Sequence, residues 1–303
     1  VSLAQRLDEH AAPPLTLPEY TPSIAGMSDL GSTFDEARQE FARLTTAVWA
    51  PAGQSLVFQL GLRPGDAVLD VCCGAGSSAI PAAAAVGQSG LVHAVDLADE
   101  LLEQGRLNAS ERGLQNIEFV CADATEWEPP STVPQLGYDG LACSYGVFFL
   151  PHMDAAFTRL AGLVRPGGKI GITVWRRGAV CEFADTFLDA VARHGERSIG
   201  PAGAAFDILE RMDTPDRLHQ WLAGLGAHAT EVRELSNIIP ATPEFAWDAV
   251  LGGPLRGALS SFDAHTIEAI RRDFLELLTD RAIHDIDAGT LVGTATTNEP
   301  NAT

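Results

Sequence analysis

Val68-Leu69-Asp70-Val71-Cys72-Cys73-Gly74-Ala75-Gly76 reads as a buried strand that ends on an acid and breaks at once into a glycine-containing loop. The run Ser77-Ser78-Ala79-Ile80-Pro81-Ala82-Ala83-Ala84-Ala85 then opens a helix. Strand, glycine loop and helix start in that order form a cradle for a nucleotide-like ligand. Glycines let backbone N–H groups come close to the ligand, and a helix N-terminus favours electron-rich groups.

Two nucleotide classes use such a cradle. Gly74-Ala75-Gly76-Ser77-Ser78-Ala79 fits the dinucleotide fingerprint, and Asp96 lies at the end of a second strand, Leu91-Val92-His93-Ala94-Val95. A carboxylate there suits any adenosine ribose, so this spacing alone does not separate NAD(P) from S-adenosylmethionine. Asp70 does favour one side. Close to the loop it would repel a pyrophosphate, whereas it suits the ammonium group of a methionyl moiety. A third strand, Ile117-Glu118-Phe119-Val120-Cys121, leads to Asp123, which suits an adenine amino group with the N–H of Ala124 beside it. Arg165-Pro166-Gly167-Gly168-Lys169 reads as a turn that launches the strand Ile170-Gly171-Ile172-Thr173-Val174-Trp175.

Asp70 to Gly76, then Asp96, Asp123, Tyr138-Asp139-Gly140-Leu141-Ala142-Cys143 and the Pro166-Gly167-Gly168 stretch follow strands in one fixed order. This ordered set resembles the class I S-adenosylmethionine-dependent methyltransferases. Within them it is similar to the ubiquinone/menaquinone-type branch, which includes many methyltransferases of natural-product pathways. The resemblance spans about residues 34–175. It implies an α/β fold: a doubly wound, mostly parallel seven-stranded Rossmann-like sheet with the last strand antiparallel, here carrying helical cap insertions. It also implies that Asp70, Cys72, Gly74 and Gly76 form the methionyl-side loop. Asp96 would hold the ribose, with Leu97 beside the adenine, and Asp123 and Ala124 would read the adenine edge. Ser144 and Tyr145 would lie near the methyl donor. Cys72 departs from the family, which usually has glycine there.

Composition fits a soluble, cytoplasmic enzyme. The 303 residues give ample core, apolar runs stop short of a bilayer span, and no charged-then-apolar leader opens the chain. The five cysteines show no metal-ligand spacing and read as core or loop residues in a reducing compartment. A net charge of −20, with Lys169 the one lysine, argues against a nucleic-acid substrate. Oligomeric state is left open.

The chain divides into a proline-containing N-terminal arm (1–30), a cofactor-binding core (31–175), a cap insertion (176–212), a core continuation (213–242), a helical cap insertion (243–282) and a final strand with tail (283–303). Phe34 to Leu44 has helical amphipathic spacing, with Ser32 or Thr33 as cap and Glu36 as partner of Thr33. In the family such a helix folds over the cofactor, which brings Phe34 to the site. The alternative is a helix that only packs on the sheet.

An activated sulfonium needs only an aligned nucleophile and the exclusion of water. A hydroxyl also benefits from a base, which a phenolate, amine or carboxylate does not need. His152 and Tyr145 are the candidate bases, each against a structural alternative: helix-start packing for His152 and a pocket wall for Tyr145. His194, Trp175 and Arg176 are further candidates for substrate contact. The sequence therefore points to methyl transfer to a small, partly apolar molecule, with oxygen slightly ahead of nitrogen and carbon. A nicotinamide-dependent oxidoreductase, a cyclase on a methyltransferase fold and an enzyme acting on peptides are the rivals.

Overall fold

The computed structural model describes residues 31–195 and 208–298. The proline-containing arm and the loop around Gly200-Pro201 lie outside the described residues. Seven strands form one sheet in the order β3-β2-β1-β4-β5-β9-β6. They are β1 (Ala67–Val71), β2 (Leu91–Asp96), β3 (Ile117–Cys121), β4 (Tyr138–Ser144), β5 (Val164–Trp175), β6 (His228–Leu235) and β9 (Thr290–Thr296). The first five pair in parallel, while β9 runs antiparallel to both β5 and β6. The expected doubly wound sheet with an antiparallel last strand is present.

Burial explains the strand order. Every residue of β1 and β9 is buried, as the near-continuous apolar run of a sheet covered on both faces requires, and exposed positions recur along the two edge strands, β3 and β6. Helix α2 (Ala50–Leu60) packs on β4, β5 and β9, α3 (Ala79–Val86) and α4 (Asp99–Glu111) cover β1, β2 and β3, and α5 (Met153–Ala161) lies on β5. Helix α7 (Pro215–Gly224) covers β6 and β9. Its start is fixed locally: the Thr214 hydroxyl accepts from Arg217 N–H at 3.3 Å and Pro215 occupies the first turn, where its missing N–H costs nothing.

Above the carboxyl ends of the strands sits a cap with its own apolar core. Helix α6 (Cys181–Ala192) packs against α9 (Ala264–Asp280), with Phe183 and Phe187 meeting Phe274 edge-on at 5.3 and 5.5 Å. Helix α8 (Pro243–Leu251) packs on α1 (Arg38–Leu44). Asp263 and Thr242 cap α9 and α8 through Thr266 N–H and Phe245 N–H. No helix among the described residues is long and apolar enough to cross a membrane.

Three local expectations need correction. Residues 31–36 are already helical, so Thr33 lies inside the segment and does not cap it. The Pro166-Gly167-Gly168 stretch is not a separate turn. It belongs to the long strand β5, where a register shift opposite Tyr138–Gly140 absorbs it and Gly167 takes the left-handed φ of 71°. A small ribbon, β7 (Ile238–Pro240) with β8 (Asp285–Asp287), was not foreseen, because three-residue strands carry too little pattern to read.

Candidate active site

The cofactor loop is built by backbone demands. After β1 the chain takes positive φ at Cys72 (54°), Gly74 (52°) and Gly76 (86°). Left-handed backbone is nearly free for glycine and costs other residues roughly 1 kcal/mol. The position where the family usually has glycine is thus left-handed in this chain too, and Cys72 tolerates it. Gly74 N–H donates to Asp96 Oδ2 at 2.8 Å, and Gly76 N–H donates to the Cys73 carbonyl at 2.9 Å.

Two close approaches hold this loop from outside. A Cβ on Gly53 of α2 would stand 2.2 Å from the Ser77 carbonyl oxygen, and one on Gly146 would stand 2.2 Å from Cys72 Cβ. Only glycine fits at either place. The loop therefore has α2 on one side and the exit of β4 on the other.

Asp70 is fully buried, and neither of its carboxylate oxygens has a hydrogen-bond partner among the described residues. Burial raises its pKa to about 7; the nearby Ser78 hydroxyl tempers the shift and Asp96 adds to it. Ser78 Oγ is itself buried and makes no full hydrogen bond. Two acceptor oxygens and a hydroxyl without partners suit a cationic group with several N–H donors, such as an ammonium, and oppose a pyrophosphate. The residues present fit S-adenosylmethionine.

Asp96 ends β2 with both oxygens engaged, by Gly74 N–H and by Ala98 N–H at 2.9 Å. A carboxylate accepts about four hydrogen bonds, which leaves capacity for ribose hydroxyls. Burial raises its pKa, partly offset by these N–H groups. Asp123 Oδ1 accepts from Thr125 N–H at 2.8 Å and Thr125 Oγ1 at 2.7 Å, so this residue caps a short 3₁₀ turn whatever else it binds. Asp96, Leu97, Asp123, Ala124, Cys72, Gly74 and Ser144 all line one cavity of about 210 Å³, and Phe34 enters it from the N-terminal helical segment. Phe34 meets Phe41 and Phe149 edge-on at 6.4 and 5.7 Å. Asp70 and Gly76 do not line it: Asp70 is fully buried, and a Cβ on Gly76 would stand 3.1 Å from Ile80 and Phe119 side chains, so the work of Gly76 is packing.

The same cavity continues under the cap, where its walls are apolar: Leu44, Val48, Val180, Phe183, Phe245 and Leu255. Trp49, Tyr145 and Trp175 join the two ends. Tyr145 lies 4.3 Å from the Trp175 ring and 5.5 Å from Trp49. Its hydroxyl bonds to Thr290 Oγ1, and burial raises its pKa above the ordinary phenol value. Those facts make Tyr145 a wall and a poor base. Ser144 Oγ is held by Thr173 Oγ1 at 2.9 Å.

His152 was expected near the reacting atoms, but it is exposed, sits at left-handed φ ahead of α5 and does not line the cavity. His194 pairs with Asp273 at 2.8 Å, and Arg176 pairs with Asp287 and Glu234 at 2.5 and 2.9 Å. No arginine, lysine or histidine is among the described residues that line the cavity. Phe41, Trp49, Val180 and Phe245 were missed by sequence reasoning. Apolar residues on amphipathic helices read as core, and nothing local separates a cavity wall from a packed interior.

Comparison with known proteins agrees with the cradle. Residues 68–168 match the family model described as a methyltransferase domain. The chain is 38% identical to the aklanonic acid methyltransferase DauC of Streptomyces sp. (strain C5), over 64% of this chain and 89% of that protein. It is 29% identical to the nocamycin O-methyltransferase of Saccharothrix syringae, over 68% of this chain and 71% of that protein. The solved [4+2]-cyclase SpnF shares the fold, with a TM-score of 0.55 at 17% identity, covering 90% of this chain and 97% of that one. Relatedness over most of the length of a known methyltransferase, together with the match to the methyltransferase family model and the sheet order, places this chain among the class I S-adenosylmethionine-dependent methyltransferases, with those that act on small molecules.

Proposed function

We propose that the enzyme methylates an oxygen of a small, largely apolar molecule, and that this oxygen is ionised without help from the protein. The observation that carries the reading is one cavity running from the cofactor loop into an apolar space: no histidine or lysine is among its described walls, and its carboxylates, Asp96 and Asp123, belong to the cofactor loops. Bound S-adenosylmethionine supplies an electrophilic methyl group on sulfur, which a nucleophile takes in line to leave a neutral thioether.

In this reading the chain's own residues bind, orient and exclude water. Asp70 and Ser78 take the ammonium, Asp96 the ribose, and Asp123 with Ala124 N–H the adenine edge. Tyr145 and Trp175 wall the passage between the two ends, and the cap helices close the apolar end. Dry apolar walls with few polar groups suit a drug-sized ligand. A carboxylate or phenolate entering this end finds no protein cation among the described walls, so its charge is balanced by the sulfonium alone. That pairing strengthens where water is excluded. The oxygen specificity in the name of the relative from Saccharothrix syringae supports the same choice of atom. Five free cysteines are in keeping with a reducing compartment, the cytoplasm.

The test is incubation with methyl-labelled S-adenosylmethionine and matched aryl carboxylic acids, phenols and amines, read by mass spectrometry. One labelled methyl on the acid or phenol is expected. Transfer only to nitrogen or carbon, or a product of unchanged mass as a cyclase would give, contradicts the reading.

A further inference from the structure

Trp49 closes a π-helical turn, Thr45–Trp49, between α1 and α2. Such turns are rare and occur frequently at functional sites. This one brings the indole to the junction of the two ends of the cavity. Phe41 stacks on it at 5.1 Å and 17°, while Tyr145 and Trp175 approach at 5.5 and 6.1 Å. The apolar cluster of Leu44, Val48, Ile239 and Ala288 packs against it. The indole is thus fixed in place by rings and hydrocarbon. Its Nε1–H is buried and has no acceptor among the described residues.

A buried tryptophan N–H ordinarily finds a partner, and an orphan calls for an explanation. The Tyr145 hydroxyl beside it is already engaged with Thr290. Resting on the reading of the apolar end as the acceptor site, we infer that Trp49 determines specificity: its indole N–H donates to a carbonyl oxygen of a planar acceptor substrate lying against these rings. A site built to hydrogen-bond one substrate group discriminates against analogues lacking it, because its own donor is then left unpaired.

Fluorenone and fluorene share a flat skeleton and differ by one carbonyl. Calorimetric titration of both into protein saturated with S-adenosylhomocysteine should show fluorenone bound on the order of tenfold tighter. Trp49→Phe should erase that preference, so that fluorenone and fluorene bind the variant equally. If the phenylalanine variant does not fold, Trp49→Leu gives the same readout. A preference that survives in the variant, equal binding of the two probes by the wild type, or binding of neither overturns the inference. A wild type that methylates oxygen yet ignores the carbonyl overturns this inference alone and leaves the proposed function standing.

Discussion

In the proposed reading, Asp70 joins pH, cofactor and stability at one carboxylate. Its folded-state pKa of about 7 exceeds the ordinary 3.8, so the folded chain keeps a proton that the unfolded chain has released between those values. The stability of the cofactor-free protein therefore falls as pH rises from about 4 to about 7. The full effect is roughly 4 kcal/mol at 1.36 kcal/mol per pH unit. Ammonium binding needs the ionised form, so cofactor affinity should run the other way, weakening toward tenfold per pH unit below about 7. Asp70→Asn should melt higher than the wild type at pH 8 without cofactor, yet bind S-adenosylmethionine at least tenfold more weakly. Thermal melts and calorimetry across pH 5.5–8 check both signs. An apo wild type that gains stability from pH 4 to 7 would contradict the account. Asp70 was legible in the sequence because an acid ending a buried strand before a glycine loop has few other uses. Trp49 was not, because a tryptophan in an amphipathic helix looks like any core residue until the fold turns it toward a cavity.

Helix α2 acts on the site without touching substrate. Its Gly53 lets the helix lie against the Ser77–Ser78 backbone at a distance no Cβ permits. Gly53→Ala should push the cofactor loop out of place and weaken S-adenosylmethionine binding by more than tenfold. Overpacking of this kind costs about 1–3 kcal/mol. Gly224→Ala, where an added Cβ meets nothing within 4 Å, serves as the control and should leave binding unchanged. Equal cofactor affinity in the Gly53 variant and the wild type would remove the helix from the account. Most elements were readable at this scale, since strand and helix periods and caps such as Thr214 are local signals. The π turn at Thr45–Trp49 and the ribbon of β7 and β8 were not, because tertiary packing rather than local preference sets them.

Across the whole molecule, a core holds the cofactor loop at the carboxyl ends of the strands, and a cap with a separate apolar core encloses the space beyond it. The order of motifs made the sheet topology legible, but the cap carries no motif, so its walls emerged only from packing. Cofactor binding should couple to the stability of the whole. At a hundred times its dissociation constant, S-adenosylmethionine adds about 2.7 kcal/mol, which raises the melting temperature by roughly 4 °C. NADPH at the same concentration should give no shift, and a shift with NADPH alone would return the loop to the dinucleotide class.

The measurement that bears most directly on methyl transfer without a protein base is the pH dependence of the methyl-transfer step, in single turnover at saturating S-adenosylmethionine, for two phenols of one skeleton and different acidity. If the substrate oxygen ionises without a protein base, the rate rises with a midpoint that moves with the pKa of each phenol. A midpoint that stays fixed for both phenols would reveal a protein base and contradict the account.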